Sequence, residues 1–345
     1  METSALSHDE TALYDRQIRL WGLNAQRRLG QTHVRVVGLK LPVALELCKN
    51  LVLAGIGKLT LTDDGIVDPS DIHTLYCCLG DAERWVGQPL VNVYKEYLQT
   101  LNPRVTLNTC KVPPCALQVV DFTDVHLTCL VRRSPSEVLY LSALYRTWLD
   151  TWTPSSATTP VLPLPRGLFV ANTYGDTGII FADLGDFYYR EETATNGESP
   201  ALQILHYEAL SQAVAKNWRN ITSRQLLRKT SPLWLTVAMV WHYMDSHAPP
   251  DDQANDTAMW KSALYEYRSH YANRYGFDPT LITDELLDTV AQPDLQTPTV
   301  MPTSAILGGV LAQECIRTVA AKEVPLNNVF VMDGQASVGQ LHHTC

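Results

Sequence analysis

Between Cys129 and Cys315 the chain has no cysteine, although it has eight among its 345 residues. Chemistry in that stretch has no thiolate nucleophile to draw on. The cysteines present have little disulfide or metal character. Cys77 and Cys78 are adjacent, and no second pair completes a zinc site with Cys110 and Cys115. Positive charge is also scarce: 27 Lys and Arg stand against 36 Asp and Glu, a formal net charge of −9. A surface of that sign is ill suited to neutralising phosphates, which argues against general nucleic-acid binding. Long apolar runs are missing too. The longest without a charge, Leu233 to Met244, falls well short of the ~20 residues a membrane span needs. Glu2, Asp9 and Glu10 are unlike a secretory or transit leader. The expectation is an intracellular chain with reduced thiols and no membrane partner. With 46% hydrophobic and 18% charged residues, a disordered polymer is excluded. The length suits about two domains.

Ser7-His8-Asp9-Glu10 fits a helix-capping box, and a helix is expected through about Arg28. Its polar residues Asp15, Arg16, Gln17 and Arg19 sit among apolar ones, which is unusual for a helix that only packs. Alternating short β-branched runs and helical segments follow: strands at 33–38, 58–62, 104–108 and 125–131, helices at 42–54, 90–101 and 136–148. Residues 151–166 are rich in Pro, Thr and Ser and read as a surface loop. Residues 167–184 read as strand around Gly175 and Gly178. From Pro200 to about Val290 the pattern is helical, with Trp/Tyr stripes at 234–244 and 260–271 that suit a core. His242, His247 and His270 show no metal-ligand spacing, and no metal site is expected. A helix over 304–321 and strands near 329–332 and 338–341 close the chain. The whole reads as α/β: a Rossmann-like, doubly wound, mostly parallel sheet with an N-terminal helix and a helical insertion. Its parts are residues 1–185, the insertion 186–298, and a return to the sheet domain over 299–345.

Such folds hold a nucleotide in the crevice after the first strand, where bare glycine backbone approaches the phosphates. Here the stretch is Gly38-Leu39-Lys40-Leu41-Pro42-Val43. Gly38 is present, but Leu41 and Val43 stand where glycine is needed, and Pro42 removes an amide donor. Asp63 follows at the place of a ribose-binding carboxylate; an Asp ending a strand is also a common turn former. This is the outline of a nucleotide cleft that cannot bind a nucleotide in the normal way.

The string Tyr14-Asp15-Arg16-Gln17-Ile18-Arg19-Leu20-Trp21-Gly22 resembles the N-terminal helix motif of the activating enzymes for ubiquitin-like modifiers. The similarity continues through residues 50–57 and 59–63, Thr173-Tyr174-Gly175, Ala182-Asp183-Leu184-Gly185, the helix 306–314, Pro325-Leu326-Asn327-Asn328 and Asp333-Gly334. It covers both ends of the chain and the sheet. The glycine-poor crevice and the length resemble the smaller, non-catalytic subunit of SUMO-activating enzymes. The counterpart for Rub/Nedd-type modifiers carries a longer insert and is the runner-up. A divergent dinucleotide-dependent oxidoreductase is the alternative from another class, opposed by the crowded crevice.

The resemblance implies a regulatory subunit of a heterodimer, required in trans for ATP-dependent adenylation of the modifier's C-terminus. ATP, Mg²⁺ and zinc, together with the thioester-forming cysteine, would belong to a larger partner subunit, with none bound by this chain alone. The Arg and Lys that contact phosphates in active members are absent from the matching segments 68–74 and 87–90. Arg16 matches the arginine that reaches into the partner's ATP site; the plain reading is a surface arginine paired with Asp15 or Glu10. Tyr14, Gln17, Ile18, Trp21, Gly308 and Gly309 are the expected partner-interface residues. Ile18, Trp21 and the two glycines suit packing within the domain equally well. The partners implied are the larger subunit and, through it, a SUMO-like modifier, and the compartment implied is the nucleus, with the cytoplasm second.

Overall fold

Short apolar runs build a sheet whose central strands are buried on both faces. The computed structural model describes residues 8–73, 75, 82–131, 134–152, 162–190, 202–247, 257–291, 301–334 and 338–342. Eight strands form the sheet: β1 (His33–Val37), β2 (Lys58–Thr62), β3 (Thr106–Cys110), β4 (Leu127–Val131), β5 (Gly167–Tyr174), β6 (Thr177–Asp183), and, after the insertion, β9 (Val329–Asp333) and β10 (Val338–His342). Their order is β10-β9-β6-β5-β4-β1-β2-β3. The pairings from β3 through β2, β1 and β4 to β5 are parallel; those joining β5, β6, β9 and β10 are antiparallel. The expected mostly parallel, doubly wound sheet is present.

Alternate residues serve alternate faces. Phe169, Ala171, Ile180 and Ala182 enter one core with helices α3 (Leu23–Gln31), α4 (Pro42–Ala54), α6 (Leu90–Leu101) and α13 (Met301–Ala320), and the short α5 (Ala82–Trp85) lends Trp85 to it. Leu168, Val170, Ile179 and Phe181 enter the other, with α7 (Pro135–Thr151) and α10 (Pro232–Ser246). Trp234 of α10 stacks on Phe181 with ring centroids 5.8 Å apart. The Trp/Tyr stripes are therefore core. The inserted helices α8 (Leu210–Val214), α11 (Thr257–Tyr275) and α12 (Asp284–Val290) contribute to the same core, while α9 (Ser223–Lys229) adds Leu226.

Three expectations change. The opening helix is three pieces: α1 (His8–Leu13), α2 (Asp15–Trp21) and α3, broken at Tyr14 and Gly22. The region after 185 begins with a two-stranded antiparallel sheet, β7 (Asp186–Arg190) and β8 (Leu202–His206), so residues 202–206 are strand and not helix. The strand expected at 104–108 lies two residues later. The Ser7 cap, Cys77, Cys78 and residues 153–161 lie outside the described residues.

Helices α4 and α13 pack closely because Gly308 removes a side chain from their contact. A Cβ there would lie 2.7 Å from the Val43 carbonyl oxygen and 2.8 Å from Glu46 Cβ. Alanine is the better helix former by about 1 kcal/mol, yet its methyl would meet backbone that cannot swing aside. Gly308→Ala should therefore be destabilising, with overpacking costing about 1–3 kcal/mol before that gain. An unchanged melting temperature would show that the two helices separate at little cost.

Candidate functional site

Helix α4 ends at Gly55 with carbonyls that its own amides cannot satisfy. Side chains from α2, α3 and the end of α6 supply donors. Gln17 Nε2 donates to the Leu53 carbonyl (3.1 Å), and Gln26 Nε2 to that of Ala54 (2.9 Å) while its Oε1 accepts from Trp21 Nε1 (3.0 Å). Asn102 Nδ2, just past α6, donates to the Val52 carbonyl (3.0 Å) and to the Tyr14 hydroxyl (2.9 Å). The Tyr14 ring lies on bare backbone: a Cβ at Gly55 would sit 2.5 Å from Tyr14 Cζ. Tyr14, Gln17 and Trp21 stand at i, i+3 and i+7, and this one face of the motif is tied to the end of α4.

The other face is free. Leu20 is 80% exposed, and Arg16 is exposed. The carboxylates that could hold Arg16 are engaged elsewhere. Asp15 pairs with Arg19 at 3.0 Å, and Glu10 lies 3.8 Å from Arg104. Among the described residues Arg16 has no ion pair or hydrogen bond. Its place also matters. Pro42 at the start of α4 adjoins the crevice, whereas Arg16 projects near the far end of that 13-residue helix, roughly 20 Å away along the axis.

The crevice itself is filled by its own chain. Leu39, Leu41 and Val43 are buried. The buried carboxylate of Asp63 accepts from the Leu39 amide and the Gly65 amide, each at 2.7 Å. Tyr94 crosses from α6 and donates its hydroxyl to the Leu39 carbonyl at 2.6 Å. A pyrophosphate here would meet side chains instead of a glycine cradle, and a ribose would find Asp63 already holding two amides.

The expected interface residues divide. Gln17, Trp21 and Gly309 come together with Asn50, Leu53 and Gln313 along a groove of about 320 Å³ between α2, α4 and α13. Ile18 is half-buried beside them. Two others pack within the domain. Tyr14 is only 6% exposed and belongs to its own domain. Gly308 is buried against α4, so its role is internal packing. The i, i+3, i+7 spacing puts Tyr14, Gln17 and Trp21 on one face, and the contacts with α4 and Asn102 make that face the anchor.

Two features lay beyond sequence reasoning. Asp183, in the Ala182–Gly185 motif, is fully buried and bound by Arg146 through Nε (2.7 Å) and a terminal nitrogen (2.6 Å). Burial pushes its carboxyl up to about 6 in spite of that partner. Cys129 on β4 and Cys315 on α13, separated by the whole cysteine-free stretch, bring their sulfurs within 3.6 Å. Burial pushes the Cys48 and Cys315 thiols well up, which suits packing and not nucleophilic attack. Among the described residues no group of His, Cys, Asp and Glu is placed to hold a metal, and no helix is long and apolar enough to cross a membrane.

Residues 14–126, opening at Tyr14, match the ThiF family. The chain is 27% identical over 339 residues to SUMO-activating enzyme subunit 1A of Arabidopsis thaliana, covering 98% of this chain and 97% of that one. It is 26% identical over 358 residues to SUMO-activating enzyme subunit 1 of Rattus norvegicus, with 97% and 94% covered. The resemblance to the smaller SUMO-activating subunit thus extends from the motifs to nearly the full chain. A crystal structure described as SeMet PaaA shares the fold, with a TM-score of 0.55 at 14% identity, covering all of this chain and 76% of that one.

Proposed function

We propose that this ThiF-domain chain is the regulatory half of a two-subunit SUMO-activating enzyme, supplying Arg16 in trans while its partner adenylates the modifier. The observation that carries the reading is the separation of Arg16 from a crevice that does not fit a nucleotide. The guanidinium is exposed, unpaired among the described residues and remote from Leu41, so any phosphate it serves lies on another chain. In adenylation, negative charge develops on the departing pyrophosphate. A permanently charged, bidentate donor stabilises it more than it stabilises the ground state. ATP and Mg²⁺ would sit in the larger subunit, as would the thioester cysteine, since residues 186–298 of this chain contain no cysteine. The free face of α2 and the groove beside Gly309 would meet that subunit, and the complex would work in the nucleus.

The experiment is reconstitution with a larger subunit. The chain alone is expected to show no ATP–pyrophosphate exchange with a SUMO-like modifier, and the co-purified dimer to show it. Exchange by the isolated chain, or failure to form a dimer, would defeat the reading. Exchange with a Rub/Nedd-type modifier and not with SUMO would move the assignment to the sister enzyme.

A further inference from the structure

Helix α2 has no fully buried residue; at its C-terminal end Trp21 packs against the core and donates to Gln26. Arg16 lies at the other end, and what fixes that end is the N-terminal boundary at Tyr14. Tyr14 is buried, its hydroxyl accepts from Asn102, and its ring fills the space above Gly55, whose backbone has φ +80°. The Tyr14 amide donates to the Glu10 carbonyl (2.9 Å), and its carbonyl accepts from the Ile18 amide (2.8 Å). The ring is thereby coupled rigidly to the turn that carries Arg16. Gln17 also reaches α4, but it is partly exposed and bound by one solvent-facing amide.

We infer that Tyr14 is a positioning residue for Arg16: seated on Gly55 and bonded to Asn102, it sets the direction in which the guanidinium leaves the domain. This rests on the reading of Arg16 as acting in trans. An arginine aimed at a transition state on another chain gains most of its effect from pre-set geometry, and a displacement of about 1 Å can cost ~100-fold in rate.

The test is a double-mutant cycle in the co-purified heterodimer, followed by ATP–pyrophosphate exchange, dimer recovery and thermal melting. Tyr14→Ala is expected to lower kcat about tenfold or more, with dimer recovery and the KM for ATP and modifier kept. Arg16→Ala is expected to lower kcat about a hundredfold. The double variant should be no slower than Arg16→Ala, because an unpositioned residue that is already absent has nothing further to lose. Tyr14→Phe keeps the ring over Gly55 and should stay within about threefold of the parent, since one neutral hydrogen bond is the smaller part of the seat. Multiplicative losses in the double variant would overturn the inference. So would a Tyr14→Ala variant of unchanged kcat, one that loses only dimer recovery, or a Phe variant as slow as the Ala variant. If Arg16→Ala is itself silent, the reading of Arg16 falls instead.

Discussion

Replacing Arg16 with alanine is expected to slow modifier adenylation by the reconstituted heterodimer about a hundredfold, the loss typical when one pre-organised electrostatic donor is removed. The recovered amount of dimer should not change. The expectation follows from what Arg16 does not do within this chain. A surface arginine of α2 would ordinarily pair with Asp15 or Glu10, but Asp15 holds Arg19 and Glu10 lies beside Arg104. Removing Arg16 therefore breaks no described contact and creates no cavity, so a stability effect is not anticipated. Arg19→Ala is the natural control. It removes an exposed ion pair worth at most about 1 kcal/mol and should leave the rate nearly unchanged. Arg16→Lys keeps the charge and loses the planar fork, so it should recover only part of the rate. An Arg16→Ala dimer as fast as the parent would remove the central role assigned to this residue.

The sheet was legible because β-branched runs such as Val34–Val37 and Lys58–Thr62 sit between segments of clear helical character. The crowding of the crevice was legible in the residue types: Leu41 and Val43 bring side chains where a cradle needs glycine, and both are buried there. The N-terminal motif was only half legible. Its residue types pointed to a special helix, but an aromatic ring against Gly55 and one facing a partner look alike in one dimension. Only the contact with Gly55 and Asn102 separates Tyr14 from the free face. Strand β8 was hidden because Leu202–His206 has apolar residues that suit helix or strand, and its pairing partner β7 is supplied from beyond residues 191–201. Gly308 carried two open readings, and the closeness of Val43 selects internal packing.

Arg146→Ala should be strongly destabilising, on a par with truncating a buried aromatic side chain. Asp183 ends β6 with its carboxylate fully buried, accepting two bonds from Arg146 and one from the Gly185 amide at 3.2 Å. Arg146 also donates to the Tyr207 carbonyl at 2.8 Å, tying α7 to the start of the inserted helices. Removing the guanidinium strands a buried charge, which typically costs about 3–5 kcal/mol. Replacing both partners by apolar residues of similar volume should cost much less, because the charge that needs compensation goes as well. The pH dependence has a definite sign. In the folded chain the Asp183 carboxyl is raised to about 6 from 3.8. The native state therefore binds more protons than the unfolded chain between those values, and this group's contribution to stability is fullest below 3.8 and lost as pH rises through 6. Without Arg146 the carboxyl loses the partner that lowers it and rises further, so the variant goes on losing stability above pH 6 where the parent has levelled. The gap between parent and variant should be widest near pH 8 and narrow towards pH 5, read by denaturant melts at both. A gap independent of pH would mean that the guanidinium serves through its bond to the Tyr207 carbonyl and not by compensating the buried carboxylate.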